Sequence, residues 1–306
     1  MQALWMVLGS LLFAVMAVCV KFASAWFTSA ELVCYRGLLG MLFVWLLARG
    51  QKMPLATQYG AMHAWRSLVG VLSLGAWFYA IGKLPLATAM TLNYMSSVWI
   101  AAFLVGGTLL AWNPRAGPAG SPGTGIPLLQ QGALVLTVLA GFVGVIMMLQ
   151  PTIDQNQMFA GVVGLLSGLT AAFAYMQVMA LGKLGEPATR TVFYFAAGSA
   201  VGGAAGMAVT GVSDWNWQHA LWLVPMALLA SLGQLCMTRA YNHGATLVVA
   251  SLQYSGVVFG AIFSVTLFGD VISPSGWVGM ALIVCSGVAA TVLRERAAPN
   301  APAEEH

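Results

Sequence analysis

Of the 306 residues, 60% are hydrophobic and only 7% charged, with 12 Lys and Arg against 8 Asp and Glu for a net charge of +4. A soluble domain carries about 25% charged residues, so this composition excludes a surface that faces water throughout and requires lipid contact. The basic residues fall singly between apolar runs and form no patch, which excludes nucleic-acid binding.

Crossing a hydrocarbon layer of roughly 30 Å takes about 20 apolar residues at 1.5 Å each. On that ruler the apolar runs predict spans near 4–22, 30–48, 64–82, 87–110 and 129–149. A second set follows near 159–182, 191–211, 219–240, 246–268 and 275–293. The first run has no basic leader and extends to Val20, longer than a signal-peptide core, so it reads as a span. Charged or turn-like breaks separate the rest, among them Arg49-Gly50-Gln51-Lys52, Lys83-Leu84-Pro85 and Gly185-Glu186-Pro187. The Pro-, Gly- and Ser-rich stretch from Asn113 to Gly123 predicts a flexible loop, and the tail 295–306 reads the same way. Cys19, Cys34, Cys236 and Cys285 all lie inside apolar runs without metal or disulfide spacing and read as small hydrophobes.

Basic residues alternate across the predicted spans. The side that both termini share receives Arg49, Lys52, Arg66, Arg115, Lys183, Arg190, Arg239, Arg294 and Arg296, whereas the other receives Lys21 and Lys83. Positive charge stays inside, so both termini are expected in the cytoplasm.

Sliding the chain against itself by 160 residues aligns Ala80 with Ala240, Leu92 with Leu252, Tyr94 with Tyr254, Val98 with Val258, Ala101 with Ala261, Phe103 with Phe263 and Val105 with Val265. Shared membrane composition is the competing explanation. An internal repeat of five spans enters the membrane the second time from the opposite side, and such inverted repeats hold a midplane site about which the halves rock. The expected organisation is a first repeat over 1–111 (spans 1–4), a cytoplasmic loop over 112–128 and span 5 over 129–150. The second repeat then covers 151–294 (spans 6–10), ahead of the tail 295–306. The fold class expected is thus an all-α membrane protein of ten transmembrane helices in two inverted five-helix repeats.

The two five-span halves, Tyr35-Arg36-Gly37-Leu38-Leu39-Gly40 in span 2, Phe78-Tyr79-Ala80 before span 4, Thr238-Arg239-Ala240-Tyr241 before span 9 and the glycine-spaced last span from Gly276 to Val288 resemble the ten-helix EamA-type carriers of the drug/metabolite transporter superfamily. The resemblance covers nearly the whole chain. It implies a central cavity lined by spans 1, 3, 4, 6, 8 and 9, with spans 5 and 10 at the periphery. Where that family often carries a Glu after the fourth helix of each half, this chain has Asp270 in one place and the Pro/Gly loop in the other.

Polar groups are costly in lipid and turn toward the bundle interior. Span 6 places Ser167, Thr170, Ala174 and Gln177 on one helical face with Tyr175 beside it; span 8 offers Ser231, Gln234 and Thr238. Span 4 contributes Asn93, Tyr94 and Ser97, span 9 Gln253 and Tyr254, and span 3 Trp77 and Tyr79. Isolated serines are explained by bonding to their own helix, but an amide has more donors and acceptors than its helix satisfies. These residues are the substrate-binding candidates, and they suit a neutral, zwitterionic or partly apolar solute. Arg36, about one turn beyond Glu31, reads either as a carboxylate anchor or as an ion pair or helix-end contact, and the edge position expected of span 2 favours the structural reading. Gly198, Gly202 and Gly206 form a small-residue ridge that lets helices approach.

His63, His219, His243 and His306 sit at span ends or in the tail, and no metalloprotease, serine-hydrolase or P-loop motif occurs. No catalytic residue, metal or cofactor is expected. The function expected is secondary, non-ATP transport of a small organic metabolite, with export of amino acids or related amphipathic solutes as the specific form. Its partners are that small molecule and the lipid bilayer, in a bacterial inner membrane. The competing classes are an intramembrane enzyme and a non-transporting scaffold or sensor.

Overall fold

The computed structural model describes residues 2–96, 98–100, 102–103, 128–149, 155–243 and 252–297. Among these residues every regular element is a helix: α1 (Gln2–Ala23), α2 (Ser29–Gly50), α3 (Gly60–Lys83), α4 (Leu86–Tyr94), α5 (Leu128–Leu149), α6 (Gln155–Lys183), α7 (Ala188–Thr210), α8 (Leu223–His243), α9 (Ser255–Phe268) and α10 (Pro274–Ala297), with a single turn at Trp217–Ala220. Among the described residues six segments are long and apolar enough to cross a membrane, namely Leu4–Ala23, Ser29–Gly50, Gly60–Lys83, Gln157–Lys183, Ala188–Thr210 and Trp217–Tyr241. Of the expected loop 112–128, Leu128 instead begins α5 and the rest lies outside the described residues; of the expected tail 295–306, residues 295–297 instead continue α10 and the rest lies outside them.

Local chemistry sets the helix ends. Thr28 starts α2 with a capping box, its hydroxyl accepting from the Glu31 amide at 3.3 Å while the Glu31 carboxylate accepts from the Thr28 amide at 2.7 Å. Between α6 and α7 the chain turns through Gly185 at φ +75°, where a side chain would be strained, and Pro187 then fixes the entry to α7. At the end of α9, Gly269 takes the left-handed φ of +64°, and its amide reaches back to the Ser264 carbonyl.

Two of the expected spans are interrupted. The α-helical pattern of span 4 breaks at Met95, whose amide bonds the Leu92 carbonyl in a tighter turn at 3.3 Å. In span 9 the helical pattern is interrupted at Tyr254, whose carbonyl accepts the same kind of three-residue bond from the Val257 amide at 3.0 Å, and it resumes at Ser255. These breaks fall within one residue of the aligned pair Tyr94 and Tyr254.

The helices pack in cross-chain pairs. The most extensive contacts join α2 to α7, α5 to α10, α3 to α6 and α1 to α8, followed by α2 with α8, α3 with α7, α4 with α6, α1 with α9 and α4 with α9. Exchanging α1–α5 for α6–α10 in order maps α1–α8 onto α6–α3, α1–α9 onto α6–α4 and α2–α8 onto α7–α3. The pairs α2–α7, α4–α9 and α5–α10 map onto themselves. Close approach at the α2–α7 crossing needs glycine. A Cβ on Gly37 would meet the backbone of Ala196 and Ala200, and one on Gly203 would meet the backbone of Cys34. Of the expected ridge, Gly198 faces Ser67 and Gly202 faces Val71 on α3, while Gly206 faces Ala30 on α2. The core between these pairs is built on Phe78, Ile81, Met90 and Leu92, all fully buried, together with Leu32 and Val33. Outward faces are apolar as well, with Leu38, Leu42 and Leu46 exposed along α2 and Leu136, Leu139, Val143 and Ile146 along α5, as lipid contact requires.

Candidate functional site

A partly open cavity of about 50 Å³, room for a few waters, lies where α1, α3, α4, α6, α7 and α8 meet. Helix α3 supplies one wall, because Arg66, Gly70, Ser73 and Trp77 recur every three or four residues and share a face. Opposite stand Asn93 and Tyr94 from the end of α4 and Tyr175 from α6, with Phe195 of α7 and Gln234 of α8 closing the ring.

Five of the ten expected substrate-binding residues therefore come together: Trp77, Asn93, Tyr94, Tyr175 and Gln234. Asn93 is held, since its Nδ2 donates to the Ser167 hydroxyl at 3.0 Å, which in turn donates to the Gly164 carbonyl at 2.6 Å. The Tyr94 hydroxyl lies against Gly256, where a Cβ would collide with it. The Trp77 indole Nε1 and the Gln234 Oε1 are buried without a hydrogen-bond partner. Gln253 and Tyr254 form a second layer. The Gln253 Oε1 accepts from the Tyr241 hydroxyl at 2.8 Å and its carbonyl from Ser10 at 3.2 Å, while the Tyr254 ring lies 6.3 Å from that of Tyr94. Tyr79 points off the other side of α3 and meets the Phe159 ring edge-on at 6.0 Å. Gln177 is half-buried and is not part of the wall. Ser97 lies outside the described residues.

The two charged candidates do not pair. Glu31 accepts from Thr28 and, across the bundle, from the Ser213 amide at 3.0 Å and hydroxyl at 2.6 Å. Arg36 is turned inward, 4% exposed, with its Nε unpartnered and its Cζ 5.2 Å from the centre of the Phe195 ring.

The alternation of basic residues places Arg66 at the cytoplasmic rim. The structure corrects this. Arg66 is 3% exposed, lines the cavity, and lies over the same Phe195 ring at 3.8 Å. A signal was available in the spacing Arg66–Gly70, one turn apart on a face that continues to Ser73 and Trp77, but counting charges by side of the membrane concealed it.

Three carboxylate ties lie outside the cavity. Beyond Glu31 and Ser213, Glu186 in the α6–α7 turn accepts from the Thr57 hydroxyl and from Arg190 at 2.7 Å, with His63 Nε2 at 3.5 Å. Burial acts to raise the Glu186 carboxyl. The hydrogen bonds from Thr57 and Arg190 and the charge of Arg190 outweigh it and hold the group below the ordinary carboxylate value. Asp270, which replaces the glutamate of the resembled family, accepts from the Ser264 hydroxyl at 2.5 Å and stands at the start of α4 near the Leu86 amide.

No family profile matches the chain. A protein of known crystal structure aligns over 96% of this chain and 98% of its own with a TM-score of 0.65 at 16% identity, which shows a shared fold. The riboflavin transporter of Vibrio cholerae is 23% identical over 93% of this chain and 90% of its own length. The pseudopaline exporter CntI of Pseudomonas aeruginosa is 31% identical over 283 residues, 92% of this chain and 93% of that one. With its long apolar helices, this likeness makes the chain a multi-pass membrane protein, and it belongs to the same family of membrane transporters as CntI.

Proposed function

We propose that the protein is a secondary transporter that exports amino acids or related amphipathic solutes from the cytoplasm by alternating access. The observation that carries this reading is the central cavity. It is lined by helices from both halves of the chain and presents unpaired polar atoms of Trp77 and Gln234 among aromatic rings. Polar groups left unpaired in a membrane interior are costly, and a solute that completes them repays that cost.

The ten helices form two inverted five-helix repeats in this reading, with both termini cytoplasmic in a bacterial inner membrane. The exchange symmetry of the helix contacts supports the repeat, as does the break of α-helical pattern beside Tyr94 and at Tyr254. Interrupted helices at matching positions are the usual neighbours of a transporter binding site. The ties Glu31–Ser213 and Glu186–Thr57 then close opposite ends of the bundle, and opening one while keeping the other exposes the cavity to one side at a time. The named relatives carry small organic metabolites, which agrees with the substrate class.

The test is counterflow. Proteoliposomes loaded with unlabelled amino acids are offered labelled aromatic and aliphatic ones. Accumulation of a label supports a carrier of that class; none, with folded and inserted protein, removes amino acids as substrates.

A further inference from the structure

We infer that the cavity is built around an oxyanion seat, formed by Arg66 with Arg36 on the same aromatic ring, so that the transported solute docks a carboxylate on Arg66. This rests on the transport reading and names the substrate chemistry within it.

The seat is assembled from three helices. Arg66 projects from α3 and Arg36 from α2, and the two guanidiniums meet at Phe195 of α7, with Cζ 3.8 Å and 5.2 Å from the ring centre. Gly70 makes the fit possible. A Cβ at that position would press on Arg66 Nη1 and stand 2.8 Å from Phe195 Cε2, so a side chain there would force the guanidinium or the ring to shift.

The charge is left open. Nε and Nη1 of Arg66 and Nε of Arg36 are buried without a hydrogen-bond partner. Among the described side chains, the carboxylates are committed or placed elsewhere: Glu31 to Thr28 and Ser213, Glu186 to Thr57 and Arg190, Asp270 to Ser264, and Asp214 exposed in the loop before α8. Both salt bridges among the described residues belong to Glu186. A ring face offsets part of the desolvation of a guanidinium but supplies no acceptor for its N–H groups. Two unpaired cations on one ring are held at a standing cost in the free protein, and a carboxylate entering the cavity relieves it with a forked, charge-assisted pair to Arg66. A mere prop for Phe195 needs no positive charge, and a leucine would serve. Trp77 Nε1 adds a further donor on the same wall, while Gln234 Oε1 is an acceptor suited to an ammonium or hydroxyl elsewhere on the solute.

The test uses purified full-length protein, with thermal unfolding followed against glutamate, phenylalanine, leucine, succinate and citrate at matched ionic strength. Phenylalaninamide and leucinamide serve as the carboxylate-free counterparts, and counterflow of the labelled acids is measured in parallel. At least one acid should raise the unfolding midpoint while the amides do not. Arg66→Gln should abolish that rise and weaken acid binding about 100-fold, with Arg66→Lys about tenfold weaker than wild type, because the charge stays but the fork is lost. Without ligand, Arg66→Gln should unfold no earlier than wild type, since it removes an unpaired buried charge. Acids bound in an Arg66-dependent way without counterflow would uphold the seat and remove the transport reading. Amides bound or carried as well as acids, or no midpoint shift from any acid, would overturn the seat, and counterflow of the amides would leave the carrier standing. If Arg66→Gln does not fold, Gly70→Ala decides: it keeps the charge but fills the seat, and unchanged acid binding in that variant overturns the inference.

Discussion

The Ser213 hydroxyl donates to the Glu31 carboxylate at 2.6 Å, tying the loop that precedes α8 to the first turn of α2. A hydrogen bond to a charged group contributes about 1.5–3 kcal/mol. Ser213→Ala keeps the amide bond from the same residue, so it is expected to lower stability by the smaller figure, about 1.5 kcal/mol. Glu31→Ala also removes the capping box and is expected to cost more. Thermal unfolding of the two variants in detergent checks the order. In proteoliposomes both should increase labelling of a cysteine placed at Trp77 by a reagent added on the Glu31 side.

The Glu186 cluster predicts a pH dependence. Its carboxyl is held below the ordinary glutamate value of about 4.3 by Thr57 and Arg190, against the opposing effect of burial. A lowered native value means that the stabilisation is fully present above pH 4.3 or so, and is lost as pH falls from there through the lowered value. Glu186→Gln should flatten that limb of the stability curve while leaving the neutral-pH limb parallel to wild type. Unfolding midpoints measured from pH 3 to pH 8 test this; an unaltered acid limb would remove Glu186 as its source.

The glycine crossing of α2 and α7 predicts a sharp positional contrast. Gly203→Val must push Cys34 and its backbone away, and overpacking of this kind costs about 1–3 kcal/mol or prevents assembly. Gly75 on α3 has open space where a Cβ would go, so Gly75→Ala should be neutral or stabilise by up to about 1 kcal/mol through helix propensity. Yield of monodisperse protein and unfolding midpoint separate the two.

Within the proposed transport function, the amides divide. Gln234 presents an unpaired Oε1 to the cavity, whereas Gln177 lies off its wall. Gln234→Ala should reduce counterflow about tenfold, equivalent to one lost hydrogen bond of about 1.4 kcal/mol, and Gln177→Ala should stay within about twofold of wild type. Equal losses in both would move the site along α6.

What was legible in the sequence follows from the solvent. Lipid forces apolar runs of nearly fixed length, so the ends of α1, α2, α5 and α10 fall within a few residues of the expected spans. The breaks at Met95 and Tyr254 carry no proline, and nothing in the local composition marks them. In the site, Trp77, Asn93, Tyr94 and Gln234 were readable because an aromatic or amide in an otherwise apolar run needs an interior. Gln177 was grouped with Ser167 by helical spacing, yet α6 is rotated so that Ala171, Ala174 and Tyr175 face the cavity and Ser167 meets Asn93. Arg66 was hidden for a different reason. A basic residue in the first turn of an expected span reads as a rim charge, and only the packing of α7 against α3 reveals that Arg66 lies inside, over Phe195.

The pairing of helices across the two halves bears on how the protein is made. Helix α2 is complete at Gly50, but the ring that receives Arg36 belongs to Phe195. At ribosomal rates of about 5–20 residues per second, roughly seven to thirty seconds separate the two during synthesis. Throughout that interval α2 waits in the bilayer with a guanidinium and the backbone-exposing notch at Gly37 uncovered. A chain halted before α7 therefore lacks the surface that covers Arg36 and Gly37, and the first half is not expected to stand alone as a half-sized carrier.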